Sequence, residues 1–196
     1  MISVAAGLIK GLRLHSPQGD QTRPSSERLR QGVFNVLRNY HHQTSITQGA
    51  IVADLFAGSG AWGIEALSAG AASVVLVENH RVALSCLRQN LDIALKSLGN
   101  QGEHPQVRLL TGAVQDSYSA LPLVRIIFAD PPYKKGLFKI VMGLEDQYHR
   151  VEQRGLFIFE ADGREEIDFS WATQAGLQLF NQKSYCDSTV YFFVKS

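Results

Sequence analysis

The chain is poor in sulfur and has no long apolar run. Its 196 residues include two cysteines, Cys86 and Cys186, too far apart for a CxxC pair. Two thiols make neither the disulfide framework of a small secreted domain nor a complete zinc site, so both are read as reduced core or half-buried residues. The six histidines, His15, His41, His42, His80, His104 and His149, form no metal-ligand spacing and are read as surface or loop residues. No apolar stretch approaches the roughly 20 residues that cross a bilayer. The first 14 residues have no cationic start ahead of the apolar patch 4–9, so no export signal is expected. The expectation is a cytoplasmic monomer without metal or membrane. Net charge is also nearly absent, at +1, which lends no support to binding a polyanion by bulk electrostatics.

What is present is unevenly distributed. Residues 1–40 carry Lys10, Arg13, Arg23, Arg28, Arg30 and Arg38 against Asp20 and Glu27, a local excess of +4 against −3 in the rest of the chain. This is either a phosphate-facing arm or a solvated helix face with scattered surface charges. Apolar, β-rich runs recur at 51–56, 74–78, 107–110, 126–130 and 156–160. They are continuous rather than alternating, as in strands covered on both faces by crossover helices. Helical stretches lie between them, at 61–69, 81–98, 114–121 and 136–150. The second is the clearest, with Leu84, Leu87, Leu91, Leu95 and Leu98 spaced along one face.

Repeated strand, helix, strand order predicts a doubly wound, mostly parallel α/β sheet. The runs 177–184 and 190–195 are joined by too few residues for a crossover helix and should pair antiparallel. A parallel sheet closed by such a hairpin is the outline of the class I methyltransferase (Rossmann-like) fold. Residues 2–14 read as a small strand or hairpin around Gly7 and Gly11. Pro24-Ser25-Ser26 then opens a helix whose Leu29, Val33, Val36 and Leu37 share a face. The expected division is a β-hairpin and helix extension over 1–45 and one catalytic domain over 46–196.

The segment 52–63, Val-Ala-Asp-Leu-Phe-Ala-Gly-Ser-Gly-Ala-Trp-Gly, puts a glycine-rich turn between the first buried strand and its helix. Glycine serves where backbone must turn sharply and let a ligand approach. Gly58, Gly60 and Gly63 satisfy GxGxxG, so a nicotinamide or flavin dinucleotide enzyme must be weighed, although that pattern alone discriminates weakly. Glu78 lies 20 residues beyond Gly58, where an acid meets ribose hydroxyls. Asp54, four residues ahead of Gly58, is an awkward neighbour for a pyrophosphate but suits the cationic methionine portion of S-adenosylmethionine, beside Phe56. The plain alternatives are a strand-end or helix-capping acid at Asp54 and a solvated strand end at Glu78.

A second constellation follows the fourth of these runs. Asp130-Pro131-Pro132-Tyr133 puts an acid, two prolines and an aromatic ring where open α/β sheets bind ligands. An exocyclic amine is a poor nucleophile while its lone pair is delocalised into the ring. A site must accept its N–H hydrogens, and the Asp130 carboxylate and the Pro131 carbonyl are suitable acceptors. Consecutive prolines stiffen the loop and offer no amide donors. Tyr133 presents a face for the target base, and base–aromatic stacking is worth roughly 1–3 kcal/mol. The bland alternative is an ordinary Asp-Pro turn. Lys134, Lys135 and Lys139 follow, either as phosphate neutralisers or as a solvated helix start.

These segments together resemble the RsmD family of 16S ribosomal RNA guanine-N2 methyltransferases. The likeness runs from 5–13 through Arg23-Pro24-Ser25-Ser26-Glu27-Arg28-Leu29-Arg30 to Leu37, the turn 56–60, the loop 130–133 and the end 185–194, and the segment 23–37 is its most specific part. The resemblance implies S-adenosylmethionine as cofactor, held by Asp54, Phe56, Gly58, Gly60, Glu78 and Ala113. It implies catalysis by Asp130, Pro131 and Tyr133, and RNA contacts from Arg23, Arg28, Lys134 and Lys135. The substrate would be a guanine of small-subunit ribosomal RNA within a partly assembled particle, flipped out to reach the cofactor. Two departures stand out. Gly112 precedes Ala113 where relatives carry Asp or Asn toward the adenine, which would move that contact to backbone or to Gln115. Cys186 occupies a turn position that is commonly Gly. The rival readings are an adenine-N6 methyltransferase on DNA or RNA, a nicotinamide-dependent oxidoreductase, and an RNA-binding assembly factor without catalysis.

Overall fold

The computed structural model describes residues 2–17, 27–40, 45–132 and 136–196. Arg23, Tyr133, Lys134 and Lys135 lie outside the described residues. A short antiparallel pair, β1 (Ile2–Ser3) and β2 (Arg13–Leu14), precedes helix α1 (Glu27–Asn39). Then follow β3 (Ile51–Asp54), α2 (Ala61–Ser68), β4 (Ser73–Glu78), α3 (Arg81–Gly99) and β5 (Gln106–Thr111). The short α4 (Val114–Ser117) runs into a 3-10 turn, Tyr118–Ala120, before β6 (Val124–Ala129) and α5 (Leu137–Tyr148). The chain ends with β7 (Val151–Asp162), α6 (Ser170–Gln174), β8 (Leu177–Tyr185) and β9 (Ser188–Lys195).

Seven strands form one sheet in the order β5-β4-β3-β6-β7-β9-β8. Strands β3 to β7 are parallel, and β9 runs antiparallel between β7 and β8. This is the class I methyltransferase arrangement. The chain moves outward from β3 to β5, then returns to the other side of β3, so the order reverses beside β3 and opens a crevice at the carboxyl ends of β3 and β6.

The continuous apolar runs are explained by the two faces. Alternate residues Val52, Val74, Leu76, Ile126, Phe128, Leu156 and Ile158 join a core with α1, α2 and α3. Their neighbours Ala53, Val75, Val77, Ile127, Ala129, Phe157 and Phe159 join a second core with α4, α5 and α6. Both faces of every central strand are covered, so the period-2 signal of a one-sided sheet vanishes. Leu29, Val33, Phe34 and Leu37 of α1 belong to the first core, so the amino-terminal segment is packed on the sheet itself.

Several elements differ from the sequence reading for identifiable reasons. The stretch 114–121 is helical only to Ser117, tightens to a 3-10 turn and ends there. The strand read as 156–160 spans twelve residues, because its first part passes through a register shift opposite Val124 and Ile126, with Arg154 at φ 62°. On α3 the buried stripe is Ala83, Cys86, Leu87, Asn90, Leu91, Ala94 and Leu98, while Leu84 and Leu95 are half-buried at its margin.

Arg30 is not part of a phosphate-facing surface. It is buried, with Nε 3.3 Å from Glu65 Oε1 and Nη2 donating to the Ser3 carbonyl at 2.8 Å. Burial pushes the Glu65 carboxyl up, opposed by the Ala5 N–H and by Arg30. The pair fastens β1 and α1 to α2. Removing one member of such a pair commonly costs about 3–5 kcal/mol, because the other is left charged and buried. On the other face of the sheet Glu145 of α5 is fully buried and accepts from the Tyr118 hydroxyl, the Arg150 and Val151 amides and Lys195 Nζ. A cleft opens there between Leu123, His149, Glu152, Gln174 and Lys195, remote from the carboxyl ends of the strands.

Candidate functional site

The turn after β3 is held from both sides. The Leu55 N–H donates to the Phe128 carbonyl of β6 at 2.9 Å, and the Ala57 N–H donates to the Val77 carbonyl of β4 at 2.9 Å. The three glycines then do different things. Gly58, at φ 54°, has only the Phe56 carbonyl oxygen, 3.9 Å away, near the place a Cβ would occupy, so its surface is open. Gly60, at φ 82°, caps α2, and a Cβ there would overlap Leu87 Cδ1. Gly63 lets α2 lie close on the sheet, where a Cβ would sit 2.8 Å from Leu76 Cδ2. A tight turn, an open cradle and close helix packing are the three uses of glycine that nucleotide-type ligands require. Gly60→Ala should cost about 2–4 kcal/mol through left-handed strain plus overpacking. Gly58→Ala should cost only about 1 kcal/mol and weaken cofactor binding instead. Thermal unfolding alongside ligand titration separates the two, and equal losses of stability would contradict these assignments.

Asp54, at the end of β3, is fully buried. Its Oδ2 accepts the Gly63 N–H at 3.1 Å, while Oδ1 is buried without a hydrogen-bond partner among the described residues. Burial lifts the carboxyl to about 7, the Gly63 amide pulls it down, the Glu78 charge adds to the rise and the Phe56 amide opposes it weakly. An orphaned carboxylate oxygen is costly unless something meets it. The chemistry it calls for is a cation, such as the ammonium of a methionine moiety.

Glu78, half-buried at the end of β4, organises the cradle. Its Oε2 accepts the Gly58 N–H at 2.7 Å, and Oε1 accepts the Asn79 and His80 amides at 2.8 and 2.7 Å. Each carboxylate oxygen has two lone pairs, which leaves Oε2 capacity for a ligand hydroxyl. The Gly112 N–H donates to the Glu78 carbonyl at 3.0 Å, drawing in the turn after β5, where Ala113 stands extended as the cap of α4. Asp54, Phe56, Gly58, Gly60, Glu78 and Ala113 thus all lie at the carboxyl ends of three adjacent strands. Gln115 is exposed.

Asp130 and Pro131 follow β6 on the other side of β3. Asp130 is half-buried, and the Trp62 indole Nε1–H donates to its Oδ2 at 3.4 Å. Pro131 is buried and Pro132 exposed. Arg28 is exposed on the first turn of α1, and its charge acts on Tyr185, whose hydroxyl is pushed up by burial and held back by that arginine. Gly32 of α1 abuts the Tyr185 hydroxyl, so the tip of the β8–β9 hairpin rests on α1. Lys139 goes elsewhere: its Nζ lies 4.3 Å over the Trp171 ring on the α5–α6 face, an alternative employment to phosphate binding.

Three contributors were not singled out from the sequence. Trp62 stacks on Phe128 at 5.0 Å and on Phe34 at 6.3 Å, linking α2, β6 and α1 beneath Asp130. Asn90 is a fully buried amide on the apolar stripe of α3. It donates to the Ser59 and His15 carbonyls at 2.8 and 3.0 Å and accepts the His15 N–H at 2.7 Å, tying the glycine turn to the amino-terminal segment. Its one legible signal is a polar residue interrupting the leucines. Glu160 is 4% exposed near the carboxyl end of β7. The pairing of Ala129 with Phe159 places it beside Asp130, and alternation from Phe128 and Ile158 puts both acids on the α1–α3 side. Its signal is an acid following an apolar strand run.

Comparison with known proteins converges on one family. A family model described as conserved hypothetical protein 95 matches residues 2–194. The ribosomal RNA small subunit methyltransferase D of Escherichia coli K12 is 31% identical over 198 residues, covering 95% of this chain and 93% of that one. Its Haemophilus influenzae namesake is 29% identical, covering 82% and 79%. A solved Escherichia coli structure, yhhF, described as a candidate methyltransferase, superposes with a TM-score of 0.74 at 26% identity, covering 100% and 98%. With its sheet order, its glycine cradle and a family match over nearly its whole length, the chain belongs to the conserved hypothetical protein 95 family, the RsmD family.

Proposed function

We propose that this protein methylates the N2 amino group of a guanine in small-subunit ribosomal RNA, with S-adenosylmethionine as methyl donor. The observation that carries the guanine reading is the pair of acids, Asp130 and Glu160, at neighbouring positions on one side of the sheet. Guanine presents two kinds of donor on one edge, N1–H and the N2 amino hydrogens. Adenine presents an unprotonated N1 acceptor beside its amine, which a second carboxylate repels. Asp130 and the Pro131 carbonyl accept the amine hydrogens, turning the nitrogen lone pair toward the methyl, and Glu160 accepts N1–H.

The bound cofactor supplies an electrophilic methyl on a sulfonium. Asp54 would hold its ammonium and Glu78 its ribose hydroxyls, with Phe56, Gly58, Gly60 and Ala113 forming the rest of the cradle. The methyl would pass to the amine nitrogen with the C–S electron pair left on sulfur, and Asp130 would take up the proton the amine loses and pass it to solvent. Positioning supplies most of the acceleration. The family resemblance assigns stacking on the flipped base to Tyr133, and phosphate contacts to Arg23, Arg28, Lys134 and Lys135. The names of the relatives favour ribosomal RNA over DNA, and a partly assembled subunit offers a guanine that is cheap to flip. A dinucleotide enzyme fits less well, because buried Asp54 would face a pyrophosphate.

Mapping N2-methylguanine in ribosomal RNA from cells with and without the protein tests the reading. Loss of one such nucleotide supports it, and an unchanged map overturns it. N6-methyladenine among the reaction products would support the adenine alternative. Glu160→Gln keeps size but loses the charge. It should lower kcat/KM on undermethylated small subunits by roughly 10–100-fold, the worth of a charge-assisted hydrogen bond, with little change in cofactor affinity. Unaltered kcat/KM would remove Glu160 from the base site.

A further inference from the structure

The methyl-transfer reading gives Asp130 its task but does not say what aims its carboxylate, and the structure points to a group outside the motif. We propose that Trp62 is a positioning residue for Asp130, and that through it the seating of α1 is coupled to the reacting end of the site. This rests on the proposed function only for its kinetic consequence.

Trp62 is the second residue of α2, and its side chain is 5% exposed. Its ring lies nearly parallel to Phe128, with centroids 5.0 Å apart and planes 19° apart, and it also faces Phe34 at 6.3 Å and 27°. Phe34 and Phe128 are themselves 5.7 Å apart, so the three rings form a closed group. Phe128 sits two residues ahead of Asp130 on β6, and Phe34 belongs to α1. The indole is therefore held by a strand on one side and by the amino-terminal helix on the other.

An indole N–H is a donor only, and a buried one finds a partner when the fold permits. Here that partner is Asp130 Oδ2, at 3.4 Å. The contact is long for an N–H···O bond, and catalytic hydrogen bonds often tighten only when substrate arrives. Donation to Oδ2 limits rotation of the carboxylate at the end of β6, beside the crevice where the amine must be met. An aliphatic residue at 62 would fill the same space against Phe128 without supplying a donor. Displacing α1 moves Phe34, the ring on which the indole rests, so RNA bound along α1 and the acid share one aromatic support.

Trp62→Phe keeps the ring group and deletes the donor. On undermethylated small subunits it should lower kcat about tenfold, the equivalent of one ordinary hydrogen bond. KM for the particle, the dissociation constant for S-adenosylmethionine and Tm should stay near wild type. A second readout needs no activity. The chain has two tryptophans, Trp62 and Trp171, so its proton–nitrogen spectrum has two indole signals, and the Trp62→Phe spectrum identifies one of them. In Asp130→Ala the Trp62 indole proton should move upfield while that of Trp171 stays in place. Wild-type kcat in Trp62→Phe, or an unmoved Trp62 signal in Asp130→Ala, would overturn the proposal. If no ribosomal RNA is methylated yet the signal moves, the functional reading fails and the contact stands.

Discussion

Asp130→Ala is expected to lower kcat for ribosomal RNA methylation about 10³-fold, within the range attributed to a positioned proton acceptor. The protein should stay folded, because Asp130 is half-buried at the mouth of the site and the cores beneath it are apolar. One local cost is the Trp62 indole losing its acceptor, of order 1 kcal/mol. Binding of S-adenosylmethionine should be nearly unchanged, since Asp54 and the glycine cradle stand at the end of β3 and Glu78 at the end of β4, whereas Asp130 follows β6. Asp130→Asn should be milder, roughly tenfold, because the amide oxygen still accepts an N–H but carries no charge to stabilise the cationic amine. Single-turnover kinetics with prebound cofactor would read the chemical step directly. A full-rate Asp130→Ala enzyme would leave methylation without its acceptor and would favour the assembly-factor reading.

Asp54→Asn should move stability and affinity in opposite directions. The folded-state carboxyl is raised from 3.8 to about 7, chiefly by burial. Between those values the native state binds more protons than the unfolded state, so stability falls as pH rises through this window. Below about pH 4 both states are protonated and the penalty is absent. Above pH 7 it is fully present, and a shift of this size corresponds to roughly 4 kcal/mol. The amide keeps an acceptor for Gly63 and carries no charge, so apo Asp54→Asn should melt higher than wild type at pH 8. The gap should narrow as pH falls below 7 and close near pH 4. Affinity runs the other way: the variant should bind S-adenosylmethionine about 10–100-fold more weakly at pH 8, the range for a charge-assisted contact. Wild-type affinity should strengthen as pH rises through 7, with a proton released on binding. Melting curves and calorimetry in buffers of different ionisation enthalpy check both halves. A variant less stable than wild type at pH 8 with unchanged affinity would show that Asp54 serves the fold and not the cofactor.

The strengths and limits of the sequence reading follow from what kinds of information a chain carries locally. Continuous apolar runs separated by helical periods predicted a parallel sheet covered on both faces, and the two alternating cores of the structure agree. Two short strand runs without room for a helix predicted the antiparallel end, and β8 pairs with β9. The glycine turn, Asp54, Glu78 and the Asp-Pro-Pro loop were legible because each places an unusual residue type at a strand end, where backbone geometry and ligand chemistry restrict the choice. The basic excess of residues 1–40 was less informative than it looked. Charge counts do not distinguish exposed Arg28 from Arg30, whose guanidinium is buried against Glu65.

The partners of the buried polar groups were not legible at all. Trp62 meets Asp130 across 68 residues, Asn90 meets His15 across 75, and Ser59 receives Asn90 across 31. Hydrophobic period reports which face of an element is inward, but it carries no information about which distant element will lie against that face. That choice is made by the order β5-β4-β3-β6-β7-β9-β8. The order puts the acid of β6 beside the turn of β3, brings Glu160 level with Asp130, and seats α1 against the aromatic group below them. Local residue chemistry marked the two halves of the candidate site, the glycine turn with its acids and the Asp-Pro-Pro loop. Long-range pairing joined them, because the energy of a buried donor or carboxylate depends on the one group it meets and not on its own segment.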